Sequence, residues 1–238
     1  MAGLRTAQWH PVAAYLYLLH LDAPALAWEY LRRHPDYRLD WHRHRHQSPQ
    51  RAARWGLRLL EDPGRDARDA HPDWLAGPAP VQLHPDADPA PAPEAPPFRL
   101  WDMPGHKQLR QDNTRLRLAV QLPGRSVRLV LASTLRDGMA YTQTVRGAAA
   151  QDAPAGALTT ASGLALARPS ADALLEQHTL QALDGHLAGA SAQELARVLF
   201  GGRNDAWHAD SGLRSKVRRL LQRGQRLMGG GYRRLLQI

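Results

Sequence analysis

Apolar positions along this chain change rhythm twice. From Pro11 to about Arg33 they fall at helical spacing, at Tyr15, Leu18, Leu19, Leu26, Trp28, Tyr30 and Leu31. Asp22 is placed to cap a helix with Pro24 in its first turn. Pro35 interrupts, and Tyr37, Leu39 and Trp41 continue the pattern. Arg51 to Leu60 adds a short amphipathic segment closed by the turn Asp62-Pro63-Gly64. Aromatics at helical spacing read as core rather than as a ligand cage. Residues 1–76 are therefore expected to form a small N-terminal helical module.

Between Gly77 and Pro97 proline recurs every few residues, which predicts an extended linker free of helix and sheet and a domain boundary at 77–97. The period then becomes two. Phe98 to Trp101, Arg115 to Leu122, Arg125 to Ala132 and Met139 to Arg146 read as strands, with turns at Pro123-Gly124 and Asp137-Gly138. Alternation in Arg115-Leu116-Arg117-Leu118 puts the two arginines on one face and the two leucines on the other. These strands predict a short antiparallel β-meander, and Gly147 to Pro169 reads as a loop.

Helical spacing returns at the C-terminus. Ser170 caps a predicted helix from Ala171 to Leu187 with Leu174, Leu175, Leu180 and Leu183 as its stripe. Ser191 and Glu194 form a capping box opening a helix at Ala192, which carries Leu195, Val198 and Leu199 and stops at Gly201-Gly202. After a connection containing Trp207, Asp210 or Ser211 caps a longer helix with Leu213, Val217, Leu220, Leu221, Leu227 and Met228 on one side. Gly229-Gly230-Gly231 breaks it, and Tyr232 to Ile238 is expected to return as a strand. A short helix, a connection and a longer helix basic on its outer faces suit a helix-turn-helix, and the final strand suits a winged variant. The predicted fold is α+β: an N-terminal helical module (1–76), a Pro-rich linker (77–97), and a β-meander followed by a winged-like helix-turn-helix (98–238).

Charge placement sharpens this picture. The formal net charge is +9 over 238 residues. It concentrates from Arg203 onward, where Arg203, Arg214, Lys216, Arg218, Arg219, Arg223, Arg226, Arg233 and Arg234 face only Asp205 and Asp210. A concentrated excess is the footprint of a polyanion site, whereas an even one serves solubility. Arg214, Lys216 and Arg218, early in the last long helix, are placed to read base edges of double-stranded DNA; Arg219, Arg223, Arg233 and Arg234 are placed to hold phosphates, and Arg203 belongs to the same DNA-binding set.

Other chemistries find less support. The chain has no cysteine, which excludes disulfides and thiolate metal sites, and no apolar run of membrane-spanning length, so a cytoplasmic location is expected. In the tract Trp41 to His46, His42 and His46 would share a helix face, but no carboxylate completes a metal set and Arg43 and Arg45 repel a cation. Ser191 is a cap rather than a nucleophile, and no phosphate-cradling glycine loop with Lys-Ser/Thr is present. No enzyme, cofactor or metal is expected.

The motifs in order resemble the FseA/QseM-type regulators of integrative and conjugative elements. The N-terminal match is the run Leu26 to Tyr37 (LAWEYLRRHPDY), followed by Arg54-Trp55-Gly56-Leu57 and Glu61-Asp62-Pro63. The C-terminal match comprises Leu183-Asp184-Gly185, Gly189-Ala190-Ser191, Glu194-Leu195-Ala196, Leu199-Phe200-Gly201 and Gly229 to Leu236. Where the resemblance carries a Trp-Lys pair before the recognition helix, this chain has Trp207-His208. The resemblance implies a two-part transcription factor, an activator of genes for transfer or excision of a mobile element, with RNA polymerase or another regulator as further partners. The alternative it also implies is a protein-interaction antiactivator or scaffold that binds another regulator rather than DNA.

Overall fold

The computed structural model describes residues 9–44, 49–76, 80–88, 97–103, 105–112, 115–122, 125–145, 169–201 and 211–237. The architecture is α+β, and the chain divides into two compact units, Met1–Gly77 together with Arg168–Ile238, and Pro78–Ala167. This grouping differs from three consecutive segments broken at 77 and 97: helices from both ends of the chain share one core.

In the helical unit a 3-10 helix, Val12–His20, precedes α1 (Ala23–Leu31), α2 (Pro35–His44) and α3 (Pro49–Ala53). Asp22 caps α1 as its spacing predicts, its Oδ1 accepting the Ala25 N–H at 2.9 Å. Trp28, Tyr30 and Leu31 are all fully buried, so α1 has packing partners around most of its circumference. Tyr37 meets both Trp28 and Trp55 edge-on, with centroids 5.6 Å apart in each pair. Within the amphipathic segment Arg51 to Leu60, the helix ends at Ala53. Gly56 turns the chain in the left-handed region (φ +77°), and Leu57 then bridges to Trp74.

The C-terminal helices are α4 (Ala171–Leu187), α5 (Ala192–Phe200), α6 (Ser211–Met228) and a 3-10 helix, Gly231–Gln237. α4 is the axis of the unit, packing on the N-terminal 3-10 helix, α5 and α6, while α1 packs on the C-terminal 3-10 helix. Polar ties fix the two ends of the chain together. The Gln181 amide donates to the Trp9 carbonyl at 2.8 Å, and the buried Tyr232 hydroxyl to the Trp55 carbonyl at 2.9 Å.

The strand expected at Tyr232 to Ile238 is not formed; Gly231–Gln237 is a 3-10 helix, so the wing is absent from this segment. Burial shows why. Tyr232 and Leu236 are buried while Arg233 and Arg234 are exposed, a spacing of four. A strand would put Arg234 on the same face as both.

The second unit is a five-stranded mixed sheet in the order β2-β3-β4-β1-β5, with β1 Val81–Pro85, β2 His106–Asp112, β3 Arg115–Leu122, β4 Arg125–Leu131 and β5 Tyr141–Val145. The meander predicted at β3 and β4 is present and antiparallel, with Leu118 opposite Leu129. Leu83, Leu118, Val120, Leu129 and Leu131 fill the core of one face. The proline-rich stretch nonetheless contributes β1, which lies parallel to β4 and antiparallel to β5. Its prolines, Pro80 and Pro85, sit before and at the end of the strand, so no ladder N–H is missing from its middle. Phe98 to Trp101, expected as a strand, forms a turn that buries Phe98 against Tyr141, centroids 6.1 Å apart. β2 has a single leucine, Leu109, among polar residues and carries no readable alternation. The expected loop from Gly147 lies outside the described residues as far as residue 168.

Candidate nucleic-acid interface

α4 and α5 are built by caps that the sequence spells out. Ser170 Oγ accepts the Ala173 N–H at 3.1 Å. Ser191 Oγ accepts the Glu194 N–H at 3.2 Å while the Glu194 carboxylate takes the Ser191 N–H at 2.7 Å, a complete capping box. α5 ends at Gly201 in the left-handed conformation, φ +67°.

α6 is amphipathic. Val217, Leu220 and Leu227 are buried, with Leu213, Leu221 and Met228 packed beside them. Arg214, Lys216, Arg218, Arg219, Gln222, Gln225 and Arg226 are exposed. No acidic residue occurs anywhere in Ser211–Met228, so the helix lacks the i,i+4 carboxylate partners usual on a solvated face. Arg214, Lys216, Arg218 and Arg226 have no side-chain ion-pair or hydrogen-bond partner among the described residues, and Arg219 donates only to the Ser215 carbonyl, at 3.3 Å.

At 3.6 residues per turn the exposed side chains sort into rows. Arg214, Arg218, Gln222 and Gln225 form one, and with Val217, Leu221 and Ala192 of α5 they line an open groove of about 380 Å³. Arg219 and Arg226 form a second row, and Lys216 lies on the opposite flank. Gln222 and Gln225 carry no charge, so a cationic footprint does not mark them, yet they occupy the next turns of the row begun by Arg214 and Arg218, with Gln225 Nε2 3.1 Å from His186 Nε2. Glutamine pairs in bidentate fashion with adenine, as arginine does with guanine.

The remaining predicted residues separate. Arg233 and Arg234 are exposed on the C-terminal 3-10 helix; Arg233 lies over the Tyr232 ring, 5.7 Å from its centroid, and donates to the Arg54 carbonyl. Arg223 is turned inward instead: its Nη2 pairs with the buried carboxylate of Glu176 on α4. That pair raises the Arg223 pKa against the lowering effect of its partial burial. Arg203, Trp207 and Asp210 lie outside the described residues. On the sheet, register places Arg117 opposite Arg110 and Val130, on the face away from Leu116 and Leu118.

Three family models match the chain. Residues 134–237 match a T6SS transcription factor DNA-binding domain, and residues 8–59 a proteobacterial transcriptional regulator-like domain. These matches support a DNA-binding transcriptional regulator. Residues 78–127 match a domain of unknown function. No curated protein and no solved structure matches the chain. The DNA-binding match contains all of α4, α5 and α6, and with them the acid-free cationic face. Among the described residues no helix is long and apolar enough to cross a membrane.

Proposed function

We propose that the protein is a sequence-specific regulator that binds duplex DNA through α6, with α5 bracing it as the first helix of a helix-turn-helix. The observation that carries this reading is the exposed face of α6, rich in arginine, free of acids and inside the region that matches a DNA-binding model. A B-form major groove admits such a helix. Arg214 and Arg218 are assigned to base edges, with Gln222 and Gln225 continuing their row, while Lys216, on the opposite flank of the helix, is assigned to a phosphate. Arg219, Arg226, Arg233 and Arg234 are assigned to phosphates, and Arg203 joins them on its charge and its place before α6. Arg223 is not among them, because its guanidinium is held by Glu176. The genes it acts on are those for transfer or excision of a mobile element, where it serves as an activator; this finer assignment rests on the resemblance of Leu26 to Tyr37 and Gly229 to Leu236.

Fluorescence anisotropy of the full chain against duplexes tiled across promoters near its own gene, over a salt series, tests the reading. One tile should bind far more tightly than the rest, with log K falling about 0.9 per phosphate neutralised as log salt rises. Arg218→Ala should cost about 1–3 kcal/mol and relax specificity at one base pair, whereas Arg234→Ala should weaken all duplexes alike. Equal, weak binding to every tile would sink the proposal in favour of a protein partner.

A further inference from the structure

Tyr30, in the N-terminal module, and Arg223, on α6, meet at one side chain. The Tyr30 hydroxyl donates to Glu176 Oε2, and Arg223 Nη2 donates to Glu176 Oε1. Tyr30 is fully buried, and the Glu176 side chain is only 8% exposed. Arg223 Nε is also enclosed and has no hydrogen-bond acceptor among the described residues, while the side chain as a whole keeps about a third of its surface exposed, so the guanidinium sits at the edge of the core with this carboxylate as its partner. Swinging Arg223 out to a phosphate would strand a buried carboxylate with a phenol as its remaining donor, and breaking such a pair is costly. Arg223 is therefore a fixed anchor of α6, about 140° around the helix axis from Arg218 at 100° per residue.

We infer that Glu176 is a positioning residue for DNA reading: through Tyr30 and Arg223 it sets the rotation of α6, so that the N-terminal module controls recognition through α6 without supplying the reading residues. The inference rests on the reading of α6 as the DNA-contacting helix. Fixing Arg223 fixes the direction in which the row of Arg214, Arg218 and Gln222 points, and a reading helix turned about its axis loses base contacts while keeping its charge. Specific affinity therefore depends on this relay and non-specific affinity does not.

The experiment compares the unaltered full chain with Tyr30→Phe, Glu176→Gln, Arg223→Gln and Arg223→Lys, each checked for a folded state by thermal melting. Anisotropy is read on the tight-binding duplex and on a scrambled one, and amide hydrogen exchange is followed along α6. Glu176→Gln and Arg223→Gln should lose roughly tenfold on the tight duplex, the loss expected for one charge-assisted hydrogen bond, with scrambled-duplex affinity and salt slope retained. Arg223→Lys should restore part of the loss, and α6 amides should exchange faster in Tyr30→Phe and Glu176→Gln. A salt slope reduced by about one on both duplexes in Arg223→Gln would make Arg223 a phosphate contact and overturn the inference. Unchanged specificity or unchanged α6 protection in the folded variants would overturn it as well. If the unaltered chain binds no duplex specifically, the functional reading fails, and α6 protection alone then decides whether the relay holds the helix.

Discussion

Arg33 and Asp184, 151 positions apart in the chain, form a two-pronged ion pair: Nε lies 2.6 Å from Oδ1 and Nη2 2.8 Å from Oδ2. The third guanidinium nitrogen reaches Glu29 Oε2 at 2.6 Å, and the Tyr15 hydroxyl donates to Asp184 Oδ2 at 2.7 Å. Glu29 is completed by Arg32 Nε at 2.7 Å and by the Ala67 N–H, also at 2.7 Å. The cluster joins α1, the N-terminal 3-10 helix, the 61–70 turn region and α4, and each charge in it has several partners, as buried charge requires.

Removing one partner should therefore be expensive. Arg33→Met leaves both Asp184 and a share of Glu29 uncompensated in the interior, and an expected loss of about 3–5 kcal/mol follows. Urea unfolding of the variant measures it; a loss below about 1 kcal/mol would mean that the pair is solvated in solution.

Acid should undo the same cluster. Burial disfavours ionisation of Glu29 and Asp184, but the neighbouring Arg32 and Arg33 outweigh it and hold both carboxyl groups below their ordinary values of 4.5 and 3.8. A group whose native pKa is depressed takes up protons more readily in the unfolded chain, so its contribution is complete above the ordinary value and is lost as pH falls through the native one. The urea midpoint should decline below about pH 4.5, and Asp184→Asn, already destabilised, should show a shallower decline.

Gly185, next to Asp184, lies where α4 meets Leu195 and Trp9. A Cβ there would stand 2.5 Å from Leu195 Cδ2 and 2.9 Å from the Trp9 ring. Alanine normally gains about 1 kcal/mol over glycine inside a helix. Here overpacking should dominate, and Gly185→Ala is expected to lose about 1–3 kcal/mol net. A thermal melt of the variant at or above the parent temperature would refute the contact.

The interleaving of chain ends also predicts the behaviour of fragments. Residues 168–238 made alone would expose the faces of α4 and the C-terminal 3-10 helix that bury Trp9, Tyr30 and Trp55 in the intact unit. No cooperative thermal transition is expected for the fragment, and one should appear when residues 1–77 are supplied in trans. A cooperative melt of the fragment alone would show that the C-terminal helices fold independently.

The run Leu26 to Tyr37 marks the helical unit, yet its individual residues acquire their roles only through distant partners. Trp28 Nε1 donates to the Arg65 carbonyl at 3.1 Å, Tyr30 meets Glu176, and Arg33 meets Asp184. Tyr37 accepts the Glu61 N–H at 2.9 Å and donates to its carbonyl at 2.7 Å. None of these pairs has a local signature.

The sequence alone determined what depends on neighbours within a few residues. The Asp22, Ser170 and Ser191 caps, the stop at Gly201, the stripe of α6 and the alternation in β3 all arise from hydrogen bonds and side-chain spacings within one or two turns or along one strand, and the structure has each of them. Tertiary structure decided the rest. Val81–Pro85 is a strand because β4 and β5 supply its ladder, Tyr232 to Gln237 coils because two buried residues four apart need the same core, and Arg223 turns inward because Glu176 waits on α4. Local periodicity reports which face is apolar; a buried charge, a strand's partners and the direction of a long arginine are set by what the fold brings from elsewhere in the chain.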